Sequence, residues 1–310
     1  MIREVIRNSI TTTLQPPEHY LLGKNELSDV PPPCFIIGAP RSGTTLLYEA
    51  LTIRFKFSYF SNIAERFYNT PAASTYFGNY FLAKRKSGSF ASNYGQVDGW
   101  GAPSEGGRIW NRWVPQSFYL SADHVTSLPT GKIRNTVASI SKSIDAPFLN
   151  KNVMHSVHIE LLNEIFPNCI FLEVRRDPVA NIRSIIRARD KKGGPRENRN
   201  WWSVKPEVWQ QYENSSVEEQ ACVQVCSLIG DISKQINKIS PERLQIVHYE
   251  DFCEQPGKIM SRIKKMFEKQ LKIELQDNAE IPQKFFVSPS RPLSSQIESN
   301  ILDWMATYCS

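Results

Sequence analysis

No stretch of about 18 apolar residues, the length of a bilayer-spanning helix, occurs in the chain, so no transmembrane segment is expected. The first 30 residues scatter Arg3, Glu4, Arg7, Glu18 and His19 among polar groups and hold no continuous apolar segment of the secretory type. Neither secretion nor anchoring is therefore expected. Internal repeats and low-complexity tracts are missing too, which argues against solenoids and disordered arrays. The six cysteines, Cys34, Cys169, Cys222, Cys226, Cys253 and Cys309, form no Cys-x-x-Cys pair and no Cys/His cluster with metal-ligand spacing. Cys34 and Cys169 fall in predicted buried strands, where a thiol behaves as a small apolar group. A reducing cytoplasm is the simplest compartment.

What remains is ordinary in bulk. A length of 310 residues suits one domain with a substantial core and insertions. Shares of 41% hydrophobic and 22% charged residues are those of a soluble enzyme. A net charge of +6 fits a small polyanion or an acidic substrate, and equally a slightly basic solvated surface. Spread over the whole chain, it forms no stripe for nucleic acid.

One stretch is not ordinary. Cys34-Phe35-Ile36-Ile37 reads as a short buried strand, Gly38-Ala39-Pro40-Arg41-Ser42-Gly43 as a tight loop, and Thr44-Thr45-Leu46-Leu47-Tyr48 as the start of a helix. A strand that enters a helix through such a loop aims several backbone N–H groups, and the positive helix end, at one point suited to phosphate. Gly38 and Gly43 stand where a side chain would block the approach of an anion. The Gly-x-x-x-x-Gly spacing matches a P-loop, but Thr44 occupies the position where an NTP-binding loop needs lysine. Arg41, inside the loop, supplies a replacement charge.

Along the rest of the chain, residues 1–30 read as a lead-in of one or two helical turns that stops at Pro31-Pro32-Pro33, and residues 31–310 as the domain. Phe57–Phe60 is a second predicted strand. From about 65 to 145 the pattern weakens into an insertion broken by Gly88, Gly95, Gly99, Gly101, Gly106 and Gly107 and decorated by Tyr94, Trp100, Trp110 and Trp113. Such a segment either lines a substrate pocket or packs an irregular cap. Order returns with a strand in Pro147–Asn152, a helix carrying Ile159, Leu162, Ile165 and Phe166, and a strand over Cys169–Val174. Asp177 is a good N-cap and Pro178 a good first helical residue, so a helix starts there and ends at Gly193-Gly194-Pro195. The Trp201–Pro206 stretch is a loop. A helix over Val217–Ile239, a strand over Leu244–His248, a helix over Gly257–Phe267 and a last one over Ile297–Met305 complete the chain. Five strands alternating with helices predict an α/β fold: a parallel sheet flanked by helices, with ligands at the carboxyl ends of the strands.

Arg176 ends a predicted strand, and Ser184 shares a helix face with Asp177, so the two could grip a second phosphate. Together with the first loop, this carries a family resemblance. Gly38–Thr45 resembles the 5′-phosphosulfate loop of sulfotransferases that use PAPS (3′-phosphoadenosine-5′-phosphosulfate). Arg176-Asp177-Pro178 with Ser184 is similar to their 3′-phosphate motif, in order and spacing. Tyr249-Glu250-Asp251 resembles the segment after their last core strand, and Trp201-Trp202-Ser203 resembles a segment of the bacterial branch. The resemblance spans about 34–267. It implies a P-loop-like sulfotransferase fold and PAPS as co-substrate. Arg41, Ser42, Gly43, Thr44 and Thr45 would hold the 5′-phosphosulfate, and Arg176 and Ser184 the 3′-phosphate. No metal is implied.

For catalysis, Lys151 resembles the charge-stabilising lysine of a Lys-x-His segment in cytosolic members, but Val153 stands where their histidine would be. His155 and His158 lie nearby. Glu105, in Ala102–Gly107, resembles a Pro-x-Glu segment of the bacterial branch, and Glu65 matches the place of a base in glycan-acting members. Glu105 is preferred. The resemblance implies sulfation of an acceptor hydroxyl on a glycan, glycolipid or small alcohol, with release of 3′,5′-ADP. A P-loop kinase or NTPase, and a PAPS-binding protein without turnover, are the alternatives. Ser290 or Arg291 is expected to approach the co-substrate.

Overall fold

Four short runs, the first three almost wholly buried and the edge run β4 only partly so, pair into one parallel sheet: β1 (Cys34–Ile37), β2 (Leu149–Lys151), β3 (Ile170–Arg175) and β4 (Leu244–His248) in the order β2-β1-β3-β4. This computed structural model describes residues 2–24, 28, 30–82, 99–115, 119–191, 201, 203–287 and 292–309. Gly88, Tyr94, Gly95, Gly193-Gly194-Pro195, Trp202, Ser290 and Arg291 lie outside the described residues.

The helices are α1 (Ile2–Lys24), α2 (Thr44–Arg54), α3 (Asn62–Arg66), α4 (Pro71–Leu82), α5 (Gly107–Asn111), α6 (Thr130–Ile144), α7 (Ile159–Ile165), α8 (Pro178–Lys191), α9 (Val217–Ile236), α10 (Tyr249–Glu254), α11 (Pro256–Lys265) and α12 (Ser295–Tyr308). The alternation of side chains along β1 divides the core in two. Cys34 and Ile36 join α2, α10 and α11 on one face. Phe35 and Ile37 join α6, α7 and α9 on the other. The α/β architecture with a helix-flanked parallel sheet is as expected from the sequence, with four strands instead of five.

The fifth expected strand, Phe57–Phe60, forms only a single parallel bridge, Ser58 to Phe148. Ser58 donates its N–H to the Pro147 carbonyl at 2.9 Å and accepts from the Leu149 N–H at 2.8 Å. Pro147 has no N–H to extend the ladder. The lead-in also differs: α1 is 23 residues long and passes through Pro16 and Pro17. Tertiary contacts outweigh the two breakers here, because Asn135 and Ser139 of α6 donate to the Leu22 and Leu21 carbonyls at its end. Glu18, buried, accepts the N–H groups of Ala72 and Ala73 at the start of α4.

Cys226 on α9 and Cys309 after α12 form a disulfide across 83 residues of sequence. Cys34, Cys169, Cys222 and Cys253 are free and buried. Since one pair is bonded, the cysteines no longer argue for a reducing compartment. Among the described residues, no helix is long and apolar enough to cross a membrane.

Candidate functional site

The expected residues converge at the carboxyl ends of β1, β2 and β3. The loop after β1 turns at Arg41, which adopts a left-handed backbone (φ 67°), and reaches α2 through Gly43 (φ 98°). The N-terminus of α2 carries no side-chain cap, which leaves its leading N–H groups available to an anion. Ser156 clamps the loop's first glycine, accepting the Gly38 N–H at 3.0 Å and donating to the Gly38 carbonyl at 2.9 Å.

Packing requires glycine at both positions, independently of the approach of an anion. A Cβ on Gly38 would lie 2.6 Å from the Val174 carbonyl oxygen and 2.7 Å from Ser42 Oγ. One on Gly43 would lie 2.2 Å from Tyr249 Cδ2. The Tyr249 ring therefore seats against the loop backbone, and the Arg176 guanidinium carbon stands 4.4 Å from its ring centroid.

Arg176 also donates from Nη1 to the Arg41 carbonyl at 3.0 Å. Arg41 in turn donates from Nε to Ser184 Oγ at 2.9 Å. Ser184 sits on α8, whose start is fixed by Asp177: its carboxylate oxygens accept the Val179 and Ala180 N–H groups, each at 3.2 Å. Arg41, Arg176 and Ser184 thus form one connected, cationic cluster at the loop. Ser42 Oγ and both amide atoms of Asn181 are buried with no hydrogen-bond partner among the described residues. They line a cleft of about 370 Å³ beside the cluster, between α8 and α9. Cationic side chains, an uncapped helix start and orphaned buried polar atoms fit a phosphorylated co-substrate.

On the β2 side, Lys151 Nζ is hydrogen-bonded to Glu105 Oε1. The lysine is almost fully buried and the glutamate 30% exposed, so the pair faces outward through its carboxylate. Glu65 has a different setting. It accepts the Arg108 N–H at 3.0 Å and so caps the start of α5. Burial raises its pKa, against the lowering effect of the Arg108 and Ile109 N–H groups and of the Arg108 charge. His155 lies in an aromatic box, 5.1 Å from Phe35 and 4.8 Å from Trp110 between ring centroids. Burial, then His158 and Lys151, holds its pKa well below the usual histidine range.

Of the described tryptophans in 65–145, Trp110 and Trp113 are core and Trp100 is 59% exposed. Sequence reasoning missed Ser156, Asn150 and the ring contact of Tyr249. Only the Tyr249-Glu250-Asp251 match gave any signal for the last of these.

Among the described residues, no group of three or more His, Cys, Asp or Glu side chains is placed to hold a metal ion. Residues 32–272 match the Sulfotransferase family. A comparison with curated proteins found no match. Among solved structures, the chain is similar to sulfotransferase STF9 from Mycobacterium avium, with 15% identity, coverage of 94% of this chain and 72% of that one, and a TM-score of 0.52. It is also similar to sulfotransferase STF1 from Mycobacterium tuberculosis H37Rv, with 14% identity, coverage of 89% and 72%, and a TM-score of 0.48. At 15% identity the likeness to STF9 is one of fold. The family match, over most of the chain, makes this protein a member of the sulfotransferase family and a transferase of sulfuryl groups.

Proposed function

We propose that the protein transfers a sulfuryl group from PAPS to an acceptor hydroxyl, most simply on a glycan or glycolipid, and releases 3′,5′-ADP. The observation that carries this reading is the Arg41–Ser184 hydrogen bond, with Arg176 on the Arg41 carbonyl. It brings together the two elements that would each bind an anion, and a donor with phosphates at both its 5′ and 3′ positions needs two. Arg41, Ser42, Gly43, Thr44 and Thr45 would hold the 5′ end, and Arg176 and Ser184 the 3′-phosphate. PAPS supplies an activated sulfuryl group whose in-line transfer passes through a loose transition state. The protein's work is then to position and to neutralise.

Lys151 would meet the charge that develops on the bridging oxygen. Glu105 would take the proton from the acceptor hydroxyl, since its carboxylate is the exposed half of the Lys151 pair. Glu65 is the poorer base, because one of its oxygens caps α5 and the other is buried out of reach of an acceptor. The exposed Trp100 would suit stacking on a sugar ring. No lysine follows Gly43, which disfavours a kinase or NTPase.

The test is turnover of labelled PAPS with a panel of polysaccharides, glycolipids and small alcohols. Transfer of label to a hydroxyl, lost in Lys151→Ala, is the expected result. Binding of 3′,5′-ADP with no label reaching any acceptor or water would favour the binding protein without turnover.

A further inference from the structure

Glu105 sits on a loop, yet its carboxylate meets a lysine on a sheet strand 46 residues away in sequence. Something has to hold that loop. The residues that do so come from β2 and its flank. Asn150, fully buried and next to Lys151, donates from Nδ2 to the Ser104 carbonyl at 3.2 Å. Tyr48 Oη lies 3.3 Å from the same carbonyl and 3.3 Å from that of Leu149, and shares its one proton between them. Asn152 Nδ2 donates to the Glu105 carbonyl at 3.3 Å. Ser104 Oγ accepts the Gly106 N–H at 3.2 Å, and Gly106 turns in the left-handed region (φ 68°) with no room for a Cβ, which would stand 2.6 Å from the Phe60 ring. The backbone on both sides of Glu105 is thus tied down.

Asn150 is itself fixed from behind. Its Oδ1 accepts from Trp110 Nε1 at 2.8 Å and from His155 Nε2 at 2.8 Å. Trp110 can only donate, so this oxygen is the acceptor of both bonds and the amide NH₂ faces Ser104. His155 must carry its proton on Nε2. Burial in the aromatic box keeps the imidazole neutral, so this donor role is stable.

We propose that Asn150 is a positioning residue for the reaction: held by Trp110 and His155, it fixes the 104–106 loop so that the Glu105 carboxylate meets Lys151 at the transfer site. The proposal rests on Glu105 being the base. A misplacement of about 1 Å in a catalytic group can cost about 100-fold in rate.

The test compares Asn150→Ser, Glu105→Gln and the double variant in turnover, in 3′,5′-ADP affinity and in amide hydrogen exchange over 104–106. Trp110→Phe, which removes one donor to Asn150 and keeps a ring, serves as a second probe if Asn150→Ser does not fold. The expected result is a fall in kcat of about 100-fold for Asn150→Ser. The 3′,5′-ADP affinity should stay within about twofold, exchange at 104–106 should quicken, and the double variant should be no slower than Glu105→Gln alone. Unchanged kcat in a folded Asn150→Ser, or losses that multiply in the double variant, would overturn the proposal. Full turnover in Glu105→Gln would instead contradict the general-base reading. Exchange then decides the loop-holding role, and unchanged exchange at 104–106 overturns it.

Discussion

Arg41 Nε donates to Ser184 Oγ at 2.9 Å across 143 residues of chain, and this bond ties the loop after the central strand to the helix after its neighbour. Both partners are among the groups that would meet the co-substrate's phosphates. Arg41→Lys keeps the charge and loses the planar donor set. It should weaken 3′,5′-ADP binding about 10-fold, and Arg41→Ala about 100-fold, at 1.4 kcal/mol per decade. Isothermal titration of the two variants checks this.

Gly43 and Tyr249 make the second prediction. A methyl at Gly43 meets both a positive φ of 98° and the Tyr249 ring. Gly43→Ala should cost about 3 kcal/mol of stability. Tyr249→Ala in the same chain should recover only the steric part, because the backbone strain persists and the Arg176 stack is lost. Denaturant unfolding of the native chain and of the two variants separates the contributions.

Glu18 gives a pH dependence. Its pKa is pushed up to about 7 by burial, against the lowering effects of the Ala73 and Ala72 N–H groups and of the Arg112 and Lys132 charges. A carboxyl whose folded pKa exceeds its unfolded value binds its proton more tightly when folded. Its stabilising contribution is therefore complete below pH 4.5 and is lost as the pH rises to about 7. The loss is about 3 kcal/mol at 1.36 kcal/mol per unit. Melting curves between pH 5 and 8 should show this slope in the native chain and lack it in Glu18→Gln.

The Cys226–Cys309 bond closes a long loop between α9 and the end of α12. α12 is also held by the Arg183–Glu298 ion pair and by the Tyr308 hydroxyl on Glu219. Reduction should lower stability by about 4 kcal/mol on the chain-entropy view. The same reductant should leave the melting temperature of Cys309→Ser unchanged.

These predictions also mark what could be seen in the chain beforehand. The β1 loop and the Asp177-capped helix were legible because strand, turn and cap signals are local. The two halves of the cationic cluster were each visible for the same reason. Their direct bond was not, because nothing local couples Arg41 to Ser184. Lys151 and Glu105 carry separate sequence signals 46 residues apart, and only the fold brings them into contact. Asn150 looked like any polar residue ending a strand, since its bonds to Trp110, His155 and Ser104 are all set by tertiary packing. The length of α1 was hidden by Pro16 and Pro17, whose local cost is outweighed by the contacts of that helix with α4 and α6.

The most direct measurement of the central claim is calorimetric titration with 3′,5′-ADP in the presence of a chelator, set beside ATP with Mg²⁺. Tight binding of 3′,5′-ADP without metal, weakened in Ser184→Ala and Arg41→Ala, is the expected result. Binding of ATP that requires Mg²⁺, with none of 3′,5′-ADP, would contradict it.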